Sequence, residues 1–159
     1  MTSIFLLFLL IFLVILSGFL SGSETAITAT SKARILYKKK KGSKRAKYVL
    51  ELLDKKDNVI STLLLSNNLV NILASSLATA FFYDLFGVEG IFYATLIMTV
   101  VIVIFAEVLP KTYALNRPNR TALLISPIIY YLNKILFIFV FFINIIVSLI
   151  FRKNENDIL

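Results

Sequence analysis

The 159-residue sequence predicts an all-α integral membrane protein: three transmembrane helices, cytoplasmic juxtamembrane amphipathic helices, and a C-terminal helical hairpin or belt. Three observations carry that expectation. Hydrophobic residues make up 58% of the chain and its mean hydropathy is +0.87, above the roughly 45–50% apolar content of soluble domains. The apolar runs are continuous and approach the ~20 residues that cross a ~30 Å hydrocarbon core. Continuous runs argue against a β-barrel, whose strands alternate apolar and polar. Finally, the net charge of +8 is concentrated, with eleven Lys and Arg between Lys32 and Lys56.

The first span covers residues 4–26. No basic residue precedes Lys32, so the stretch lacks the basic start of a cleavable signal, and its apolar run is long for one. It is read as a retained helix. Its strongly basic C-terminal flank places the N-terminus outside and the following segment in the cytoplasm. There, Ala33, Leu36 and Tyr37, then Ala46, Val49, Leu50 and Leu53, recur at helical spacing, with Gly42 and Ser43 between. This predicts two amphipathic helices lying on an anionic inner leaflet.

The second span covers residues 59–83 and leads to a short acidic turn with Asp84, Gly87 and Glu89. The third covers residues 91–109, and Pro110 ends or kinks it. The next loop is again basic, with Lys111, Arg117 and Arg120. The last apolar region, residues 122–151, is too long for one untilted span. Pro127, Asn133, Lys134 and Asn144 interrupt it, and Arg152 and Lys153 follow. A hairpin or belt with a cytoplasmic tail at residues 152–159 satisfies the charge at both ends. The alternative is a fourth span with the C-terminus outside.

The chain contains neither Cys nor His. That removes thiolate chemistry, Ser-His-Asp catalysis and the usual zinc, copper and haem ligands. A bound metal would be hard and oxygen-liganded, such as Mg²⁺, Ca²⁺ or Na⁺. No glycine-rich nucleotide motif is present, and an enzyme is not expected. Nor is nucleic-acid binding, which would need a soluble module with base-reading groups.

Polar side chains in the spans carry the functional signal. Ser17 and Ser21 are four residues apart and share a helix face, which Glu24 continues. Gly18 and Gly22 form a GxxxG pair, extended by Ala26, suited to close packing with a partner helix or a second subunit. Packing plus bonding of each serine to the carbonyl four residues back is the alternative reading of Ser17 and Ser21. Asn67 and Asn71 repeat the spacing, Ser75 extends the stripe, and Asn68 points about 100° away. Glu107 is the sharpest residue, since carboxylates inside membranes mark ion or proton pathways. Its alternative is an interfacial ion pair with Lys111. Pro110 has no N–H for the carbonyl four residues back, which leaves that of Ala106 free. Ser17, Ser21, Asn67, Asn71 and Glu107 fall at similar depth. They offer five side-chain oxygens, and the Ala106 carbonyl could make six, the number Mg²⁺ takes.

The stretches Ser17-Gly18-Phe19-Leu20-Ser21-Gly22-Ser23-Glu24, Ser66-Asn67-Asn68-Leu69-Val70-Asn71 and Ala106-Glu107-Val108-Leu109-Pro110-Lys111 resemble the transmembrane domain of the cyclin-M/CorC magnesium and cobalt efflux proteins. The similarity runs from about residue 4 to 150. It implies three spans, a juxtamembrane belt, a homodimer in the cell membrane, and Mg²⁺ export exchanged against Na⁺ in some members. It implies that the serines of the first helix, the asparagines of the second and the glutamate of the third hold the ion. Those are Ser17, Ser21, Asn67, Asn71 and Glu107 here. Ser66 and Ala106 stand where the family usually has Gly. The resemblance also implies nucleotide-sensing CBS domains, which do not occur within these 159 residues. A cation-sensing scaffold that binds Mg²⁺ or Na⁺ without moving it is the competing function. A third possibility is a plain structural anchor.

Overall fold

The structure, a computed structural model, describes the backbone of residues 2–152, and the side chains among them except at positions 2, 3, 143, 144, 147 and 149–152. The expectations for Asn144 and for the tail at 153–159, Lys153 included, fall outside what is described. The described chain is helical throughout: α1 (Thr2–Ala29), α2 (Lys32–Lys40), α3 (Lys44–Asp54), α4 (Lys56–Phe86), α5 (Glu89–Val101), a π-helical segment (Ile102–Val108), α6 (Leu109–Asn116) and α7 (Pro118–Arg152). Four stretches are long and apolar enough to cross a membrane: Ile4–Ala29, Lys56–Phe86, Glu89–Asn116 and Pro118–Phe142. The expected three spans thus become four candidates.

Antiparallel packing of α1 on α4 forms the centre. Ala26, Ile27, Val59, Leu63, Ala74 and Ala78 are buried there. Gly87 ends α4 with φ of 64° and donates its N–H to the Tyr83 carbonyl at 2.8 Å, a left-handed geometry that glycine adopts without strain. Gly90 then lets α5 fold back. A Cβ there would lie 2.1 Å from the Phe82 carbonyl oxygen, so no other residue fits this tight return.

The third helix does not stop at Pro110. The helical path continues to Asn116, and Arg117 leaves it at φ −139°, ψ 54° just before Pro118, outside the α region that proline disfavours in the residue before it. What Pro110 accompanies is a change of helix type immediately before it, described below.

The expected hairpin over residues 122–151 is not formed, because α7 is one unbroken helix. Its interruptions are satisfied sideways. Pro127 has no N–H for the Leu123 carbonyl, and the Ser126 hydroxyl donates to that carbonyl instead at 3.2 Å. Asn133 accepts a hydrogen bond from Thr62 of α4 at 2.7 Å. On another face of α7, Ile128, Leu132, Leu136 and Phe139 share an apolar cleft with Leu65 and Leu69. The same stretch of α7, residues 128–139, thus flanks α4 both near Asn58 and near Leu69. α7 also packs on α3 through Ser126 with Arg45 and Tyr130 with Tyr48, so the belt stands beside a fourth span as a reading of α7.

The two juxtamembrane helices form as expected, broken at Gly42 with φ of 87°. Burial differs from the periodicity, however. In α3, Ala46, Val49, Leu50 and Leu52 are buried, whereas α2 buries Ile35 and leaves Ala33, Leu36 and Tyr37 exposed. Polar contacts tie this basic end together. The Lys56 ammonium reaches the Thr28 carbonyl at 3.1 Å, the Ser31 N–H reaches the Asn119 amide oxygen at 3.1 Å, and Lys32 pairs with Asp54 at 2.6 Å.

Candidate metal centre

The α1 hydroxyls separate into two groups. Ser23, Thr28 and Thr30 donate to the carbonyls four residues back, at 2.6, 2.8 and 2.6 Å. This is the ordinary resting place of a hydroxyl in an apolar helix. Ser17 and Ser21 do not fold back, although both are wholly buried. The back-bonding part of the alternative reading therefore fails for these two serines, while their burial against α4 keeps the packing part.

The Ser17 hydroxyl instead faces α4. Its oxygen lies 2.7 Å from the Asn67 amide oxygen and 2.5 Å from that of Asn71. A hydroxyl carries one proton, so with the amides in this orientation only one of the two contacts is a hydrogen bond. The other sets lone pair against lone pair. Turning one amide end for end would restore a donor, but would remove an oxygen from the group. As placed, three neutral oxygens converge around one proton, about eleven residues or ~16 Å along α4 from Lys56. That is near the middle of a hydrocarbon core of ~30 Å. One turn along α1, the Ser21 hydroxyl is buried and has no hydrogen-bond partner among the described residues. A buried unpartnered polar atom in a native fold calls for a ligand, water or ion. Off the stripe, Asn68 and Ser76 are exposed, and Ser66 donates back to the Thr62 carbonyl at 2.8 Å.

The third side comes from the π segment. The Leu109 N–H bonds to the Ile104 carbonyl, five residues back, which widens the turn that carries Ala106 and Glu107. Such single-turn π segments concentrate at functional sites. Pro110 offers no N–H either to Ala106, four residues back, or to Phe105, five back. The Phe105 carbonyl oxygen is turned onto α1, 3.1 Å from where a Gly18 Cβ would stand, with the Pro110 ring at the same distance. Ala106 is fully buried, its Cα 3.7 Å from that point. Gly22 likewise faces Pro110, with its Cβ position 3.3 Å from the Pro110 carbonyl oxygen. The two glycines are therefore sockets for the third helix within one chain. Counting four residues back names Ala106 as the freed carbonyl. The π register adds Phe105, which sequence reasoning missed because the helix type was not legible.

Glu107 is half-buried and forms no hydrogen bond or ion pair among the described residues, so the alternative reading, a pair with Lys111, is not made. The structure brings Ser17, Asn67 and Asn71 into direct contact. It sets Ser21 one turn away and places Ala106 and Glu107 on the segment packed against Gly18. The Tyr131 hydroxyl, hydrogen-bonded to Tyr48, raises the Tyr48 phenol above its ordinary value.

The profile of the cyclin M transmembrane N-terminal domain, CNNM, matches residues 8–159. The chain belongs to that family. It is 40% identical over 131 residues to the UPF0053 inner membrane protein YfjD of Escherichia coli K12, covering 76% of this chain and 31% of that protein. A UPF0053 protein of Haemophilus influenzae is 38% identical over 140 residues, covering 88% and 33% respectively. A putative chloroplastic DUF21 domain-containing protein of Arabidopsis thaliana is 28% identical over 122 residues, covering 77% and 18%. The chain thus spans about a third of the length of the bacterial relatives. The family and the four apolar helices make it an integral membrane protein.

Proposed function

We propose that this chain is the membrane domain of a divalent-cation exporter with Mg²⁺ as cargo, Na⁺ as coupling ion and one intramembrane site per subunit. The observation that carries the reading is the convergence of the Ser17, Asn67 and Asn71 oxygens around one proton, with the unpartnered Ser21 hydroxyl one turn away. Hard neutral oxygens with a single carboxylate suit a hard cation. Glu107 supplies the charge, and the freed carbonyls of Phe105 and Ala106 supply backbone oxygens. With only one charged ligand the cation is held weakly, which favours release. The reading takes Mg²⁺ over Co²⁺ on the family resemblance.

The protein works as a homodimer in a bacterial inner membrane, and CBS domains regulate it from outside this chain. The N-terminus is outside and the basic end faces the anionic inner leaflet, on the evidence of the charged flanks. Because Gly18 and Gly22 are taken up by Pro110, the dimer forms through another face.

The test is Mg²⁺ flux from proteoliposomes, with Glu107→Gln beside the parent. The variant keeps shape and loses charge, so flux should be lost while helical content and thermal midpoint are retained. Flux and binding equal to the parent's would remove Glu107 from the site. Mg²⁺-dependent stability without flux in the parent chain would make the domain a cation sensor instead.

A further inference from the structure

At the basic end of the bundle, α3, α4 and α7 border an open cleft of about 460 Å³, within the ~300–1,000 Å³ range of small-molecule sites. It lies roughly two and a half turns of α4 from Asn67, so it is separate from the oxygen cluster. Its walls are chemically mixed. Glu51, Asp54 and Lys55 come from the end of α3, and Lys134 from α7, while Leu52 and Phe137 supply apolar surface.

The level of this cavity is fixed by its neighbours. α4 changes there from the charged Lys56 and Asp57 to apolar residues. Tyr48, Tyr130 and Tyr131 form a ring cluster beside it, with centroids 5.1 and 5.5 Å apart, and tyrosines gather at the headgroup level of a bilayer. Beyond it along α7, Ile135, Phe137, Ile138 and Phe141 are exposed, a continuous apolar track leading away from the cavity.

The charges are not all committed. Asp54 is paired with Lys32 at 2.6 Å. Among the described residues Glu51, Lys55 and Lys134 make no ion pair. That leaves two ammonium groups and one carboxylate around one cavity at the interface. We propose that this cavity binds the headgroup of a phospholipid carrying a primary amine, with the phosphate between Lys55 and Lys134, the ammonium on Glu51, and the acyl chains along Phe137 and Phe141. A purely anionic headgroup would satisfy the lysines but set Glu51 against a phosphate. A choline headgroup has no N–H to donate to that carboxylate. Glu51 is therefore the residue that discriminates.

The experiment is native mass spectrometry of the full chain in detergent. Dioleoyl phosphatidylethanolamine, phosphatidylcholine and phosphatidylglycerol are added separately at equal concentration. The parent should favour the ethanolamine lipid over the glycerol lipid by about tenfold, the size of one hydrogen bond to a charged group. Glu51→Gln should abolish that preference, and Lys134→Gln should weaken both lipids, with helical content unchanged in each. Soluble phosphoethanolamine should fail to displace the lipid. Displacement would assign the cavity to a free phosphate ester and overturn the lipid assignment. Equal adducts of all three lipids, or a preference that survives Glu51→Gln, would leave only unspecific boundary lipid and overturn it as well.

Discussion

Removing the Ser21 hydroxyl should move stability and cation binding in opposite directions. The hydroxyl is wholly buried and has no partner among the described residues. Leaving a buried polar group unpaired costs about 1–3 kcal/mol. Ser21→Ala deletes that group at nearly constant volume, and alanine is the better helix former by a few tenths of a kcal/mol. Without divalent cation the variant should therefore be more stable than the parent by about 1–3 kcal/mol, at ~2–4 °C of midpoint per kcal/mol for a chain of this size. With Mg²⁺ the sign reverses. The cation loses one oxygen ligand, and a contact to a charged group is worth ~1.5–3 kcal/mol, so affinity should fall about 10- to 100-fold.

The chain has no Trp and no Cys, so helix melting by circular dichroism in nanodiscs is the suitable readout, with and without MgCl₂. Bound cation raises the parent's stability by RT ln(1 + [L]/Kd), and the variant's increment should shrink accordingly. A lower cation-free midpoint would show that the Ser21 hydroxyl serves helix packing. An undiminished Mg²⁺ increment would show that it is no ligand. Either result refutes the reasoning.

Two further outcomes follow from the same geometry. Asn71→Leu replaces an amide oxygen 2.5 Å from the Ser17 hydroxyl with a branched alkyl group. It should abolish Mg²⁺ binding by calorimetry, whereas Ser76→Ala, at an exposed position off the stripe, should change binding less than twofold (under ~0.5 kcal/mol). In sidedness labelling, Ser148→Cys on α7 should react from the same face of the membrane as Lys39→Cys, because α7 packs along the juxtamembrane helix α3. Reaction of Ser148→Cys together with Asp84→Cys would make α7 a fourth span and refute the belt.

Much of the site was legible because its register is local. Ser17 with Ser21, and Asn67 with Asn71, declare a shared face by spacing alone. The equal depth of the two helices follows from counting residues out from the basic flanks. Their contact at 2.5–2.7 Å bears out that count. The hairpin over α7 is not formed because Pro127 and Asn133 look like breaks only when each is judged by its own helix: the Ser126 hydroxyl takes up the Leu123 carbonyl, and Thr62 of α4 donates to Asn133. The apolar face of α2 was overread for a related reason. Ala33, Leu36 and Tyr37 have helical spacing, yet only Ile35 meets the bundle, and spacing does not reveal which side a neighbour occupies. The π segment was illegible outright, because changing the bond register by one residue alters no side-chain pattern.

That segment also decides what the GxxxG pair is for, and Gly18→Ala separates the possibilities. Glycine at helix positions 18 and 22 is disfavoured by propensity, by about 0.8–1 kcal/mol each relative to alanine, so something must gain from the missing Cβ. In a dimer seam the gain would be close approach of a second subunit. In this structure the space is filled by the Phe105 carbonyl and the Pro110 ring, both 3.1 Å from the Gly18 Cβ position. A methyl group there crowds both by a few tenths of an ångström, and the propensity gain offsets much of the penalty, so thermal stability should change by less than ~1 kcal/mol. The displaced part is the widened turn that sets the Phe105 carbonyl and Ala106 against α1 and carries Glu107. Flux of Mg²⁺ should therefore fall sharply while the dimer fraction by native mass spectrometry stays at the parent's value. Loss of the dimer with flux retained would return the glycines to the subunit interface and detach the π segment from the site.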